Sequence, residues 1–248
     1  KMKDVVISMI EQAILILTKL LPTTVDPHKT VAETHVKRLF VFALVWSVGA
    51  TVESDDRRKI QQWMMGKADF PLPRESQYES DLDTVYEFVV SDAGEWDHWK
   101  SRVPEWKYPT DETPDFNSIL VPTVDNVRCS FLIDTVSSQA RPVLLIGESG
   151  TAKTVTILEY LNQQNPDEIK AKIISFSSAT TPGIYQKTIE SSVEKRMGST
   201  YGPPAGRKMI VFIDDLNMPE INNWGDQVTN EIVRQIIEDS GVYSLDKP

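Results

Sequence analysis

The junction at residues 143–154 constrains the fold more than any other stretch of this chain. A short apolar run, Val143-Leu144-Leu145-Ile146, leads into Gly147-Glu148-Ser149-Gly150-Thr151-Ala152-Lys153-Thr154, and a helical pattern begins there. Strand, small-residue loop and helix, in that order, are the context in which a P-loop works. Small residues let the main chain wrap an anion, and successive N–H groups at a helix N-terminus attract negative charge. Lys153 is placed to reach the β- and γ-phosphates of a nucleoside triphosphate, and Thr154 to bring its hydroxyl to Mg²⁺. One position departs from GxxxxGK[ST]: Ala152 stands where the second glycine is expected. A helix-compatible backbone at 152 would accommodate the methyl group, with Gly150 supplying the flexibility.

The partner of such a loop is an apolar strand ending in carboxylates. Met209-Ile210-Val211-Phe212-Ile213-Asp214-Asp215 has that form, with another strand lying between it and the loop. Asp214 is the candidate Mg²⁺ ligand through water, and Asp215 the candidate catalytic carboxylate that polarises the attacking water. Hydrolysing relatives of this motif usually carry Glu at the second position. Asp is one methylene shorter, and a catalytic base must come within hydrogen-bond reach of its proton. Nucleotide binding is therefore expected, with hydrolysis slow or dependent on a shift of the loop.

Around these motifs the chain changes character twice. Apolar residues at three- and four-residue steps predict helices over 4–21, 29–47 and 54–65. Val6, Ile10, Ile14 and Leu17 lie on the apolar face of the first, and Ser54-Asp55-Asp56 supplies the cap and dipole charge of the third. Residues 1–70 thus read as an all-helical subdomain. Residues 71–118 are a Pro- and Trp-rich connector, in which Trp96, Trp99 and Trp106 are read as anchors for an irregular segment rather than as a ligand-stacking platform. Residues 119–248 alternate helix and strand: helices over 124–138, 153–162, 183–196 and 225–239, and strands over 143–146, 172–176 and 209–213. That alternation predicts a parallel sheet with right-handed crossovers.

Composition narrows the function classes. With 36 acidic against 26 basic side chains and a formal charge of −10, the chain is a poor general binder of nucleic acid. The longest charge-free apolar stretch, residues 39–50, falls short of the roughly 18 residues a membrane span needs. A single cysteine, Cys129, excludes an intrachain disulfide and a Cys-rich zinc site. His28, His35 and His98 have no ligand spacing and read as surface or capping residues. The ends of the sequence read as those of a piece of a longer chain.

The run Phe212-Ile213-Asp214-Asp215-Leu216-Asn217-Met218-Pro219, with Trp224-Gly225-Asp226-Gln227, Asn230-Glu231-Ile232-Val233-Arg234-Gln235 and Tyr243-Ser244-Leu245-Asp246-Lys247-Pro248, resembles the third AAA+ module of axonemal dynein heavy chains. The P-loop and Val121-Pro122-Thr123-Val124-Asp125-Asn126-Val127-Arg128 fit that module too, and Asp214-Asp215 looks axonemal rather than cytoplasmic. The first third, including Phe42-Ala43-Leu44-Val45-Trp46-Ser47-Val48-Gly49, is similar to the small helical subdomain closing the second module. The resemblance implies an α/β P-loop NTPase (AAA+) parallel sheet with flanking helices, preceded by a helical subdomain. Its strand order would be 5-1-4-3-2, so the sheet is incomplete here and lacks the strand between the P-loop strand and the Walker B strand. Residues 119–248 are accordingly not expected to fold stably alone.

The same resemblance implies ATP or ADP with Mg²⁺, and adenine contacts at Val121 and Pro122. Ser177 would be a polar group that positions Asp215. Asn217 has two readings, a site residue or a turn cap. The whole protein would be an ATPase motor moving toward microtubule minus ends in the axoneme of a cilium or flagellum, within the cytoplasm and its cytoskeleton. Its partners would be neighbouring AAA+ modules, microtubules through regions outside this chain, and other dynein heavy, intermediate and light chains, with neither nucleic acid nor membrane. Two alternatives stand beside a regulatory site: a structural AAA+ module holding ADP permanently, and a non-motor AAA+ ATPase.

Overall fold

The computed structural model describes residues 2–22, 31–67, 69–80, 82–108, 121–198 and 200–243. The chain divides into two compact units at Val143/Leu144. Among the described residues no helix is long and apolar enough to cross a membrane.

The first unit is built on α1 (Met2–Leu20), α2 (Glu33–Ser47) and α3 (Ser54–Met65), as the periodicity predicts; residues 29 and 30 of the expected second helix lie outside the described residues. The cap of α3 differs from expectation. Glu53 is its N-cap residue and makes no side-chain bond, while Asp55 and Asp56 lie in the first turn, where they favour the helix dipole. The second half of α1 buries Ile16, but Val6, Ile10 and Ile14 stay exposed. A hydrophobic stripe says which side of a helix seeks cover, not what covers it.

The connector contributes more order than its composition suggests. Strands β1 (Phe88–Val90) and β2 (Trp96–His98) form an antiparallel hairpin, and a 3₁₀ turn, Trp99–Arg102, follows. Trp99 and Phe88 are fully buried with Phe42, Val41, Val45 and Tyr86. Trp96 is buried as well, and its indole N–H donates to the Pro71 carbonyl at 2.7 Å. Two of the three tryptophans therefore anchor the segment; Trp106 is exposed. His98 caps the 3₁₀ turn, its Nδ1 accepting from Lys100 N at 3.1 Å, whereas His35 is buried rather than at the surface.

Helix α4 (Val124–Ser137) also belongs to this unit. Thr123 caps it, accepting from Asn126 N at 3.2 Å. Phe131 meets Trp99 edge-on with ring centroids 5.3 Å apart. Arg128 donates to the Tyr86 carbonyl at 3.3 Å and to Glu87 at 3.2 Å while its guanidinium lies over the Trp46 ring. Planar guanidinium groups suit this combination of ion pair and ring stacking.

In the second unit, α5 (Lys153–Asn162) follows the P-loop, and β3 (Ile169–Ser175) pairs in parallel with β6 (Lys208–Asp214) over their whole length, from Ile169 opposite Lys208 to Ser175 opposite Asp214. Helix α6 (Pro182–Glu190) is shorter than the predicted 183–196. After it the chain forms a small hairpin, β4 (Glu194–Lys195) against β5 (Tyr201–Gly202). Arg196 holds that hairpin by donating to the carbonyls of Pro203 at 3.0 Å and Arg207 at 3.2 Å. Helix α7 (Val228–Asp239) starts three residues later than predicted because Asn222 Oδ1 accepts from both Trp224 N and Asp226 N at 2.9 Å, holding the segment in a turn.

The predicted strand at 143–146 is corrected. It joins no ladder among the described residues, and Leu144 is 66% and Ile146 87% exposed. A strand exists through hydrogen bonds to a neighbour. The β3–β6 pairing matches adjacent second and third strands in the order 5-1-4-3-2, and in that order the first strand borders the fourth and fifth. The described part has mixed helix and strand around a small, two-stranded parallel sheet.

Candidate nucleotide site

The loop at 147–152 owes its shape to alternating backbone handedness. Gly150 has φ 79° and Ala152 φ 60°, while Thr151 is not among the residues with positive φ and Lys153 is already helical. Alternation of left- and right-handed residues turns successive N–H groups to one side and makes a concave anion nest. The expectation for Ala152 is corrected: its backbone (φ 60°, ψ 20°) is left-handed, not helix-compatible. Glycine reaches that region freely, whereas an L-residue with a Cβ is strained there by about 1–2 kcal/mol. A methyl at Gly147 would point into the loop, 3.5 Å from Thr151 Oγ1 and 3.9 Å from Lys153 Nζ.

Lys153 spans the nest. Its ammonium donates to the carbonyls of Gly147 and Glu148 and, at 3.1 Å, to Thr151 Oγ1; the Thr151 hydroxyl donates to the Glu148 carbonyl at 2.9 Å. Gly147, Glu148, Ser149, Gly150, Thr151 and Ala152 are all exposed. A cation held by neutral oxygens of an exposed loop can be recruited by a polyanion at small cost, since phosphate oxygens make stronger charge-assisted bonds.

The parallel register brings the ends of β3 and β6 to one edge, where ligands bind in open α/β sheets. There the Thr154 hydroxyl donates to Asp214, 3.1 Å from each carboxylate oxygen. Asp214 Oδ1 also accepts from Asp215 N at 3.1 Å. A hydroxyl and a carboxylate in contact form part of an oxygen donor set of the kind Mg²⁺ takes along with waters and phosphate. The residues present fit that ion.

Asp215 turns the chain out of β6 with φ 55° and is exposed. Aspartate and asparagine tolerate left-handed backbone better than other side chains bearing a Cβ. Ser177 does not engage Asp215: its hydroxyl pairs with Thr180 Oγ1 at 3.3 Å, and its N–H donates to the same oxygen at 2.9 Å. At Asn217 the main chain is what is held, its carbonyl accepting from Gln227 Nε2 at 2.9 Å. Gln227, which sequence reasoning passed over as a contributor, also donates to the Pro219 carbonyl at 2.9 Å and so fixes the loop after the carboxylates. Thr156 was likewise missed; it is buried beneath the loop and donates to the Ala152 carbonyl. Residue type alone does not reveal either role, because both side chains donate to main-chain oxygens. Val121 and Pro122 precede α4 in the first unit, outside the unit that carries the loop.

A family profile described as the P-loop containing dynein motor region matches residues 108–248, and one described as the dynein heavy chain AAA lid domain matches residues 1–101. Dynein axonemal heavy chain 8 of Mus musculus is 51% identical over 252 residues, covering 100% of this chain and 5% of that protein. Dynein axonemal heavy chain 5 of Rattus norvegicus is 51% identical, over 100% of this chain and 7% of that protein. The flagellar outer-arm dynein gamma chain of Chlamydomonas reinhardtii is 44% identical over 86% of this chain and 5% of its own length. The chain thus spans only a small fraction of the curated relatives it matches.

Proposed function

Because the chain belongs to the dynein heavy-chain family through its AAA+ P-loop motor region and lid domain, we propose that it carries the nucleotide-binding third AAA+ module of an axonemal motor, preceded by the helical lid of the second. In this reading residues 1–70 close the preceding module, 71–118 connect, and 119–248 begin the nucleotide-binding subdomain. The site regulates the motor through its nucleotide state.

The observation that carries the reading is the contact between the Thr154 hydroxyl and both oxygens of Asp214, next to an alternating amide nest. The main-chain N–H groups of 147–153 hold the phosphates of ATP or ADP, and Lys153 leaves its loop carbonyls to neutralise them. Thr154 and Asp214 would hold Mg²⁺, which would supply charge neutralisation to the bound phosphates. Asp215 orients a water for attack, slowly, because its carboxylate is short. The whole protein couples ATP hydrolysis to minus-end-directed movement along microtubules in the axoneme of a cilium or flagellum, assembled with other dynein heavy, intermediate and light chains.

A second reading, a structural module with permanently held ADP, draws support from the short, exposed carboxylate at 215. Exchange of labelled nucleotide into the intact motor, mapped to the peptide carrying residues 147–154, tests both. Exchange on the timescale of motor cycles, lost in Lys153→Ala, is expected of the regulatory site; a label that never enters overturns it in favour of the structural module.

A further inference from the structure

The Ala152 carbonyl is held twice by one residue. Thr156 donates its main-chain N–H to it at 3.0 Å and its hydroxyl at 2.9 Å, and Thr156 is only 4% exposed. Threonine hydroxyls often bond back to a carbonyl four residues earlier inside helices, as Thr135 does to Phe131 and Thr188 to Ile184 in this chain. Those two acceptors, however, lie within helices. Ala152 is instead the left-handed residue just outside α5, the one position in the nest where a Cβ replaces the glycine of the motif.

The geometry has a consequence for the ligand side. In a planar trans peptide the C=O and the following N–H point in opposite directions. Pinning the Ala152 carbonyl toward Thr156, along α5, therefore aims the Lys153 N–H out of the helix N-terminus toward the loop. If the strained residue relaxed to a right-handed conformation, the alternation from Gly150 to Lys153 would be lost, and the amides would no longer converge.

We propose that Thr156 is a positioning residue: its buried hydroxyl clamps Ala152 in the left-handed conformation and keeps the amide nest open to polyphosphate, standing in for the freedom that glycine would give. The inference rests on the nucleotide-binding reading of the same loop, and it predicts that the two positions depend on each other.

The test is hydrogen–deuterium exchange of the peptides covering residues 144–160 in the full-length heavy chain, alone and titrated with MgADP. Variants are Thr156→Val, Thr156→Ser, Ala152→Gly and the pair Ala152→Gly with Thr156→Val. Thr156→Val should speed exchange of the Thr156 amide without nucleotide and shift the MgADP midpoint about fivefold weaker, the order of one lost hydrogen bond. Thr156→Ser should restore both. In the Ala152→Gly background, Thr156→Val should change either readout by less than about twofold. An equal loss in both backgrounds, or no loss in Thr156→Val, overturns the clamp. If the unaltered chain shows no MgADP protection, the nucleotide reading fails; the nucleotide-free exchange pattern then still decides whether the clamp exists.

Discussion

The Thr154 hydroxyl and the Asp214 carboxylate, 60 residues apart in sequence, meet at 3.1 Å to each carboxylate oxygen. One residue lies in the first turn of α5 and the other ends β6, so the contact registers the loop against the sheet. Charge at 214 should govern metal-dependent binding. In Asp214→Asn, which keeps the shape, nucleotide affinity in Mg²⁺ should fall roughly tenfold or more, the scale of a lost charge-assisted interaction, and become nearly equal to the affinity in chelator. Titration of nucleotide with and without Mg²⁺ checks this; a full metal response in Asp214→Asn would refute the role.

At Asp215 the backbone and the chemistry make opposite demands. Left-handed φ at this position favours Asp or Asn over Glu. Asp215→Asn should therefore leave nucleotide affinity and thermal stability nearly unchanged while removing turnover at this site. Asp215→Glu should lengthen the reach but destabilise the turn by roughly 1 kcal/mol. Single-turnover hydrolysis mapped to this site, together with melting of both variants, separates the two effects.

Trp99 should matter to the first unit alone. It is fully buried and packs against Phe42 and Phe131, with Arg102 over its ring. Trp99→Ala should destabilise that unit by about 3–5 kcal/mol, the range for removing a large buried aromatic. Amide exchange across α2, α4 and the β1–β2 hairpin should accelerate, and peptides of the β3–β6 pair should not.

Alkaline pH should reach the same unit through Tyr78. Burial pushes its phenol up to about 12, and the Asp83 carboxylate adds in the same direction. The unfolded chain ionises near pH 10, so it loses the proton first as pH rises. The contribution is whole below pH 10 and is lost progressively between about 10 and 12. Tyr78→Phe should flatten that part of the stability–pH curve, measured by denaturant melts; an unchanged slope would contradict it.

Much of this architecture is visible in the residues themselves. Helices α1, α2 and α3 follow from periodicity, and the loop and the acidic strand end follow from short contiguous patterns. What went unread has physical reasons. The β1–β2 hairpin has three residues per strand, too few to show alternation, yet its Phe88 and Trp96 are buried in the first unit. Residues 143–146 carry an apolar strand pattern, but a ladder also needs a neighbour to bond to. Helix α6 ends early because the chain turns at Ser191-Ser192 and then pairs Glu194 with Gly202.

Sequence by itself determined the chemistry on offer: an ammonium, a hydroxyl, a set of main-chain amides and two carboxylates, each within a few residues of the next in its own motif. Such information is local, so it survives in a linear string. Tertiary structure alone decided which of these groups meet, and in what backbone state. The parallel register of β3 and β6 sets Asp214 opposite Ser175 at the sheet edge, and the fold of the unit brings the Thr154 hydroxyl to that carboxylate. The buried Thr156 hydroxyl meets the carbonyl of a left-handed alanine that the sequence had suggested would be helix-like. Register, and the meeting of Thr154 with Asp214, are settled by contacts between residues that no short pattern links, and those contacts form only when the chain packs.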